Sequence, residues 1–333
     1  MAARGKVAWI GLGRIGLPMA ARLAGAGWPV AGYDLSAERR ALAKARGIEP
    51  VASAGEALAG SSMVFTSLPS EEGVFQNLRQ GATLVETSTI SPQASAEIAK
   101  AAEAKGVPYL RSPISGSTSL AEAGTLTVFA SGPKAVLEAA RPALAAFSRA
   151  QIWLGEGEEA RYAKLAVNLM VAVTAGMMGE ALALARKGGI AWPAILEVIG
   201  ESAAGSPLVK YKLEPLRKRD FSPAATNSLI AKDLELIVGA AKAAGVPVPL
   251  AEHMQAAYAK LIEDGFAEEA RRSSAGSGLT TPPPSSSASP PSRSRRTSSW
   301  SVHFSPSPCC GATIAGCSHP EPASSSSCSV CLP

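Results

Sequence analysis

Two polar residues within a long apolar segment have the spacing and chemistry of a proton-transfer site. Lys164 and Asn168 lie four residues apart, so on a helix they share one face. An unpaired amide is costly among apolar side chains, which sets Asn168 apart from an ordinary surface residue. A lysine that enters a closed site has a lowered pKa and can accept or donate a proton. We therefore predict that Lys164 transfers a proton; the alternative is a surface lysine beside a polar neighbour.

A glycine-rich turn follows the first predicted strand and opens the first predicted helix. Gly11 permits a tight turn, Gly13 lets the backbone approach a pyrophosphate, and Gly16 lets helix and strand pack closely. The phosphates then lie at the helix N-terminus, where free N–H groups favour anions. The residues predicted to contact a dinucleotide are Gly11, Leu12, Gly13, Arg14, Ile15 and Gly16.

An acidic residue at the end of the second predicted strand supports this prediction. Asp34 follows the turn by about twenty residues, where a carboxylate accepts hydrogen bonds from the adenosine ribose. The same carboxylate repels the additional phosphate of NADP, whereas Arg39 and Arg40 lie a helical turn or more away. We therefore predict NAD as the cofactor, with NADP as the alternative.

Two polar clusters follow later strands of the predicted sheet. In the first cluster, residues 86–92, Ser91 precedes Pro92, which is typical of a helix N-cap. In the second cluster, the hydroxyl of Ser115 and the N–H groups of Gly116 and Ser117 could hold a substrate carboxylate, although the segment alone resembles a polar turn. Because such sheets bind ligands at the carboxyl ends of their strands, the structural and functional interpretations are compatible.

The distribution of histidine and cysteine excludes two kinds of chemistry from residues 1–264. All five cysteines lie at position 309 or later, and His253 is the only histidine before position 300. A catalytic zinc draws its ligands from these residue types, so we predict no metal site, and a histidine acid/base is nearly excluded. The absence of disulfide-forming cysteines from this part of the chain and of an apolar leader predicts a cytoplasmic protein.

The charge and the longest apolar segment bear on possible partners. The formal net charge of +5 is spread along the chain and nearly balanced over residues 1–264, so we predict no nucleic-acid partner. Residues 165–184 are apolar, but Asn168 and Glu180 interrupt them. A buried helix is therefore favoured over a membrane span.

Two domains are expected to position these residues. Strand-like and helix-like segments alternate as far as Ile152, which predicts an α/β domain over residues 1–157, with a Rossmann-type, doubly wound parallel sheet. The later segments predict an all-helical domain over residues 158–264. Residues 265–333 are rich in Ser, Pro and Arg without a hydrophobic period, and are predicted to form a disordered tail. Helical patterns occupy residues 158–187, 193–201, 207–218, 228–244 and 249–263.

Taken together, the motifs of residues 5–264 resemble those of the β-hydroxyacid dehydrogenase family. The glycine-rich turn with residues 17–20 resembles the family's cofactor signature. Further motifs follow in the family's order, at residues 88–92, 113–116, 124–126, 155–168 and 232–234.

The resemblance implies an activity and a set of roles. Lys164 would be the catalytic acid/base supported by Asn168, while Ser115 and Gly116, with Ser117 beside them, would bind the substrate carboxylate. The reaction would move a hydride between NAD(P) and a small 3-hydroxy acid or its semialdehyde, in a homodimer or homotetramer. The family's further cofactor contacts fall on Leu68, Pro69, Thr89 and Lys232.

Two alternatives stay open at this point. One is an imine reductase of the same architecture, although such relatives generally replace the lysine that Lys164 retains. The other is a cofactor-binding module without catalytic activity, against which the presence of both Lys164 and Asn168 argues. Ala225 stands where the family often has an aromatic residue beside the nicotinamide, so looser substrate packing is expected.

Overall fold

The main sheet consists of six short, mostly buried strands. In the computed structural model, which describes residues 4–220 and 225–267, they run parallel in the order β3-β2-β1-β4-β5-β6. The progression of the strands reverses between β1 and β4, the position beside which such sheets bind ligands. The strands are β1 (Val7–Ile10), β2 (Val30–Tyr33), β3 (Glu49–Pro50), β4 (Met63–Thr66), β5 (Thr83–Glu86) and β6 (Tyr109–Arg111).

Helices cover both faces of this sheet, which confirms the predicted doubly wound fold. Helices α1 and α7 pack with β8 on one face, and α3, α4 and α5 pack on the other. Ser91 caps α5 by accepting the Ala94 N–H at 3.0 Å, as the serine–proline pair predicted. The helices of this domain are α1 (Gly16–Gly25), α2 (Ala37–Lys44), α3 (Ala54–Leu58), α4 (Glu72–Phe75), α5 (Pro92–Ala104), α6 (Thr118–Ala123) and α7 (Lys134–Leu144).

Three buried aromatic rings fill the core beneath the glycine-rich turn. Trp9 stacks on Phe65 with their ring centroids 4.9 Å apart, and Phe147 meets both rings edge-on. The indole N–H of Trp9 also donates a hydrogen bond of 3.1 Å to the carbonyl of Gly11. The turn is thus supported from inside the domain.

A second, three-stranded sheet lies beside the first and differs from the prediction. It contains β7 (Ile114–Ser115), β8 (Leu126–Ala130) and β9 (Ser148–Trp153), and β7 pairs antiparallel with β8. The pattern of residues 126–130 predicted a strand, which is confirmed, but this strand belongs to the small sheet. The strand β9 was not predicted because its first four residues, 148–151, include a single apolar side chain, that of Ala150.

Five helices complete the described chain, and no strand occurs among residues 158–220 and 225–267. The long helix α8 packs against α11 and α12, while its later part shares a smaller core with α9 and α10. This confirms the predicted helical domain, with helix ends within two residues of the patterns. The helices are α8 (Glu159–Lys187), α9 (Trp192–Glu201), α10 (Pro207–Arg217), α11 (Asn227–Ala243) and α12 (Pro249–Glu263).

Two earlier predictions concern α8 and the end of the chain. By length and composition alone α8 could cross a membrane, but that test is weak, and here the helix packs on β7, β8, α11 and α12.

The predicted disordered tail lies outside the described residues except for residues 265–267. These bond to the start of α11, where the Ser228 N–H donates to the Ala267 carbonyl at 3.0 Å.

Candidate active site

The glycine-rich turn leaves space where a ligand would need it. Gly11 has a φ of +95°, and a Cβ added there would lie 2.2 Å from the Ser67 carbonyl oxygen. A Cβ on Gly16 would lie 2.1 Å from the Gly11 carbonyl oxygen, so protein packing requires both glycines. A Cβ on Gly13 would meet nothing within 4 Å. The open side of the turn therefore fits the close approach of a pyrophosphate.

Asp34, the predicted ribose contact, is fixed beside this turn. Its carboxylate accepts the Leu12 N–H at 2.8 Å and the Ser36 N–H at 2.9 Å. Arg40 is nearer than its sequence position suggested, because its guanidinium reaches back to the Asp34 carbonyl at 2.5 Å and the Leu35 carbonyl at 3.1 Å. The structure thus places the Asp34 carboxylate against the turn that contains Arg14 and Ile15. The Arg40 guanidinium lies against the main chain of Asp34 and Leu35.

The loops after β4 and β5 are joined to each other and to α11. The Leu68 N–H donates to the Ser88 hydroxyl at 2.8 Å. The Lys232 ammonium donates to the Pro69 carbonyl at 3.1 Å and to the Thr89 carbonyl at 2.9 Å. Four of the predicted cofactor contacts therefore lie together at the carboxyl ends of neighbouring strands. In this arrangement Lys232 connects the helical domain to the sheet.

Lys164 and Asn168 meet the same segment of α11. The Asn168 side-chain N–H donates to the Asp233 carboxylate at 2.8 Å. Lys164 is half-buried, and among the described residues nothing accepts a hydrogen bond from its ammonium. Burial lowers the pKa of Lys164, against the opposing charge of Asp233, and the positive charge of Lys232 lowers it further. The lysine is therefore an available proton donor or acceptor near the loops after β4 and β5.

The predicted carboxylate-binding segment lies on the small sheet. Ser115 ends β7, against which α8 packs. Gly116 is exposed with a φ of +144°, and a Cβ there would lie 2.5 Å from the Leu126 side chain. Ser117 caps α6, and its hydroxyl contacts that of Ser119 at 2.7 Å. The Ser117 side chain is thus engaged in the cap.

A buried ion pair at the start of α8 was not predicted from the sequence. Arg161, at 1% exposure, forms an ion pair with the fully buried Glu86 and donates to the Tyr109 hydroxyl at 3.0 Å. Burial raises the pKa of Tyr109, against the opposing charge of Arg161. A signal was present, since an arginine precedes Lys164 by one helical turn and a glutamate ends a buried strand. The sequence alone, however, did not indicate that Arg161 and Glu86 form an ion pair.

Comparison with known proteins gives matches along most of the chain. A family model for the NAD binding domain of 6-phosphogluconate dehydrogenase matches residues 6–155. A second, described as the NAD-binding of NADP-dependent 3-hydroxyisobutyrate dehydrogenase, matches residues 158–275.

Individual relatives agree with these two family models. The 2-(hydroxymethyl)glutarate dehydrogenase of Eubacterium barkeri is 32% identical, with 79% of this chain and 89% of that protein covered. The NAD-dependent L-serine dehydrogenase of Pseudomonas aeruginosa is 31% identical, with 79% and 94% covered. The solved 3-hydroxyisobutyrate dehydrogenase of Mycobacterium tuberculosis, studied with L-serine, has 31% identity and a TM-score of 0.72, covering 80% of this chain and 96% of that one.

Proposed function

Because the chain belongs to the β-hydroxyacid dehydrogenase family, we propose that Lys164 is the general acid/base of its reaction. The protein is an NAD(P)-dependent oxidoreductase that acts on the hydroxyl group of small hydroxy acids. The observation that supports the role of Lys164 is its position. It is a half-buried lysine whose ammonium has no hydrogen-bond acceptor among the described residues. It interacts electrostatically with Lys232, the α11 residue that contacts the loops after β4 and β5.

The cofactor would be held by the first domain. Gly11, Gly13 and Gly16 would accommodate the pyrophosphate, Asp34 the adenosine ribose, and the loops at Leu68 and Thr89 the nicotinamide side. When bound, the nicotinamide accepts or supplies the hydride. Both oxygens of Asp34 are directed by backbone N–H groups, which supports our proposal that NAD is preferred to NADP.

The proton would be moved by Lys164. In oxidation the neutral amine accepts the hydroxyl proton, and in reduction the ammonium donates a proton to the carbonyl oxygen. A lowered pKa helps the first direction, because more of the lysine is neutral at a given pH. Asn168, held by Asp233, would orient the substrate or Lys164, and Ser115 with the backbone of Gly116 would bind the carboxylate.

The names of the relatives narrow the proposed substrate class. Those proteins are named for 2-(hydroxymethyl)glutarate, 3-hydroxyisobutyrate and L-serine, each of which has a primary hydroxyl on the carbon next to the one bearing the carboxylate. We propose a 3-hydroxy acid of this kind, or its semialdehyde, for this chain. The imine reductase alternative is disfavoured because Lys164 is retained.

An activity screen combined with one variant tests this proposal. NAD- and NADP-linked rates would be measured with 3-hydroxyisobutyrate, L-serine and succinic semialdehyde, with a cyclic imine as the competing substrate class. Lys164→Met should lose about two to four orders of magnitude in turnover, while its NADH dissociation constant and melting temperature stay native. Undiminished turnover in Lys164→Met, or reduction of the imine alone, would contradict the proposal.

The exposed side of α8 supports self-association as a further part of the proposal. Met170, Met177 and Leu184 recur every seven residues along α8 and are 69%, 53% and 76% exposed. Apolar side chains with this spacing form one stripe along a helix. We therefore propose a homodimer or homotetramer, which sedimentation of the native chain and of Met177→Glu would test. The lack of cysteine before position 309 supports our proposal that the protein is cytoplasmic.

A further inference from the structure

The side chains buried at the start of α8 take no part in the proton transfer proposed above. Arg161 donates four hydrogen bonds there. Nη2 contacts the Glu86 carboxylate and the Tyr109 hydroxyl at 3.0 Å, Nη1 contacts the Ser88 carbonyl at 2.9 Å, and Nε contacts the Ser95 hydroxyl at 3.1 Å. These acceptors belong to β5, the loop after β5, α5 and β6. One guanidinium therefore joins α8 to four separate segments of the first domain.

This group is directly connected to the candidate active site. Arg161 precedes Lys164 by three residues, which is about one helical turn. Its acceptor Ser88 also receives the Leu68 N–H through its hydroxyl at 2.8 Å, and the Ser88 N–H donates to Glu86 at 2.6 Å. The helix bearing the lysine and the loops at the cofactor side thus share one set of bonds.

Stability alone does not account for such a group. Removing two charges from water is costly, and a buried ion pair is often no more stable than apolar residues of similar volume. The planar guanidinium instead directs its donors in fixed directions, which a lysine cannot do. Four bonds to four segments therefore specify one position and rotation of α8. That precision is what a proton-transfer residue one turn away requires.

We propose that Arg161, through Glu86 and the Ser88 carbonyl, is a positioning residue that sets Lys164 against the loops after β4 and β5. This inference rests on the proposed role of Lys164 as acid/base. Among the described residues, Arg161 donates its hydrogen bonds to Glu86, Ser88, Ser95 and Tyr109, none of which is predicted to bind cofactor or substrate. It acts through the placement of α8.

A matched control exists at the same end of the helix. Arg111 and Glu158 form a second ion pair with side chains 7% and 17% exposed, and Arg111 lies over the Tyr109 ring at 4.8 Å. This pair also attaches the start of α8 to β6. Among the described residues this pair makes no hydrogen bond to Ser88 or to the loop after β5, so it should contribute to stability without aligning that loop with Lys164.

Two neutralised pairs compare these roles in the full chain. Arg161→Met with Glu86→Gln removes both charges and keeps an oxygen for the Ser88 N–H, and Arg111→Met with Glu158→Gln is its control. Melting temperature, NADH dissociation constant and kcat would be measured for each. We expect the first pair to lose about 10- to 100-fold in kcat at temperatures where it is folded, with native NADH affinity. The control should stay within about twofold of native kcat, as expected of a residue outside the alignment.

Arg161→Lys keeps the charge and tests the same inference if the neutral pair does not fold. Lys164 faces Asp233 and Lys232 from α11, and neither changes in this variant. A displaced, better-solvated Lys164 would have a pKa closer to its ordinary value. The pH at which oxidation levels off should therefore rise, together with a loss of kcat.

The outcomes separate this inference from the proposed function. Native kcat in the folded neutral pair, or native kcat and pH dependence in Arg161→Lys, would overturn the positioning role. If Lys164→Met is inactive while the Arg161 variants are fully active, only the positioning role fails. If Lys164→Met is itself active, both fail.

Discussion

The cofactor side and the proton-transfer side of the site are held by different kinds of bonds. Around the glycine-rich turn of the cofactor side, glycine conformations shape the backbone and a backbone N–H group holds the carboxylate, since Leu12 and Asp34 are only 22 residues apart. On the proton-transfer side, charged side chains connect distant elements. Asn168 meets Asp233 across 65 residues and Arg161 meets Glu86 across 75.

This difference predicts different consequences of substitution on the two sides. Changes to the glycine turn alter the space and donors offered to a dinucleotide, so they should appear in cofactor affinity. Changes around Lys164 alter where a proton donor sits, so they should appear in turnover with little effect on affinity. Substitutions on each side can test this division.

Gly11→Ala should have the largest effect. The new Cβ would collide with the Ser67 carbonyl, and an alanine at a φ of +95° is strained in addition. We expect the NADH dissociation constant to rise on the order of 100-fold, equivalent to about 3 kcal/mol. Fluorescence titration with NADH measures this.

Gly13→Ala is the matched control for that substitution, because its Cβ meets no protein atom within 4 Å. Its melting temperature should stay native while NADH affinity still falls. A Gly13→Ala variant with native affinity would show that no ligand approaches the turn there.

Asn168→Ala should come next and should act on turnover. It removes one donor from the largely buried Asp233 carboxylate, and losing a partner of a buried charge costs about 1–3 kcal/mol or more. If most of that cost appears in the transition state, kcat falls about tenfold or more. Steady-state kinetics together with an NADH titration would show whether the substitution changes kcat or NADH affinity. A variant with native kcat and weakened NADH binding would reverse the assignment of Asn168 to the proton-transfer side.

Asp34→Ser should change the cofactor preference. The carboxylate that repels a 2′-phosphate is removed, and the nearby guanidinium of Arg40 is left to attract it. We expect kcat/KM with NADPH to rise relative to NADH by about tenfold or more, since a charge-assisted hydrogen bond contributes about 1.5–3 kcal/mol. The double variant Asp34→Ser with Arg40→Ala should lose much of the NADPH gain. An unchanged preference would show that another residue discriminates the two cofactors.

Trp9→Phe should have the smallest effect. It keeps an aromatic ring beside Phe65 but removes the hydrogen bond to the Gly11 carbonyl, which contributes about 1 kcal/mol. The melting temperature should fall by a few degrees, and NADH affinity should weaken slightly with unchanged kcat. A large loss of kcat with native NADH affinity would show that Trp9 supports proton transfer and not cofactor binding, contrary to this prediction.

The same contrast explains how much could be predicted from sequence. The conformation of the turn and the position of Asp34 were predictable because they follow from residue type and spacing within one strand–helix–strand unit. Lys164 and Asn168 were predicted to share a helix face by their spacing, but Asp233 as their partner depends on how α8 and α11 pack. The pairing of Arg161 with Glu86 also depends on tertiary register, about which local patterns carry no information. The strand β9 was missed for a local reason, since its first four residues include only one apolar side chain.

The pH dependence of hydroxy-acid oxidation tests most directly whether Lys164 moves the proton. The measurement is kcat/KM for the best 3-hydroxy acid over a pH series, for the native chain and Lys164→Met. We expect the native rate to rise with pH and to level off below 10.5, the ordinary pKa of a lysine, because burial favours the neutral amine. Lys164→Met should lack this limb. If kcat/KM of Lys164→Met still rose with pH and levelled off at the same pH, Lys164 would not be the group that moves the proton.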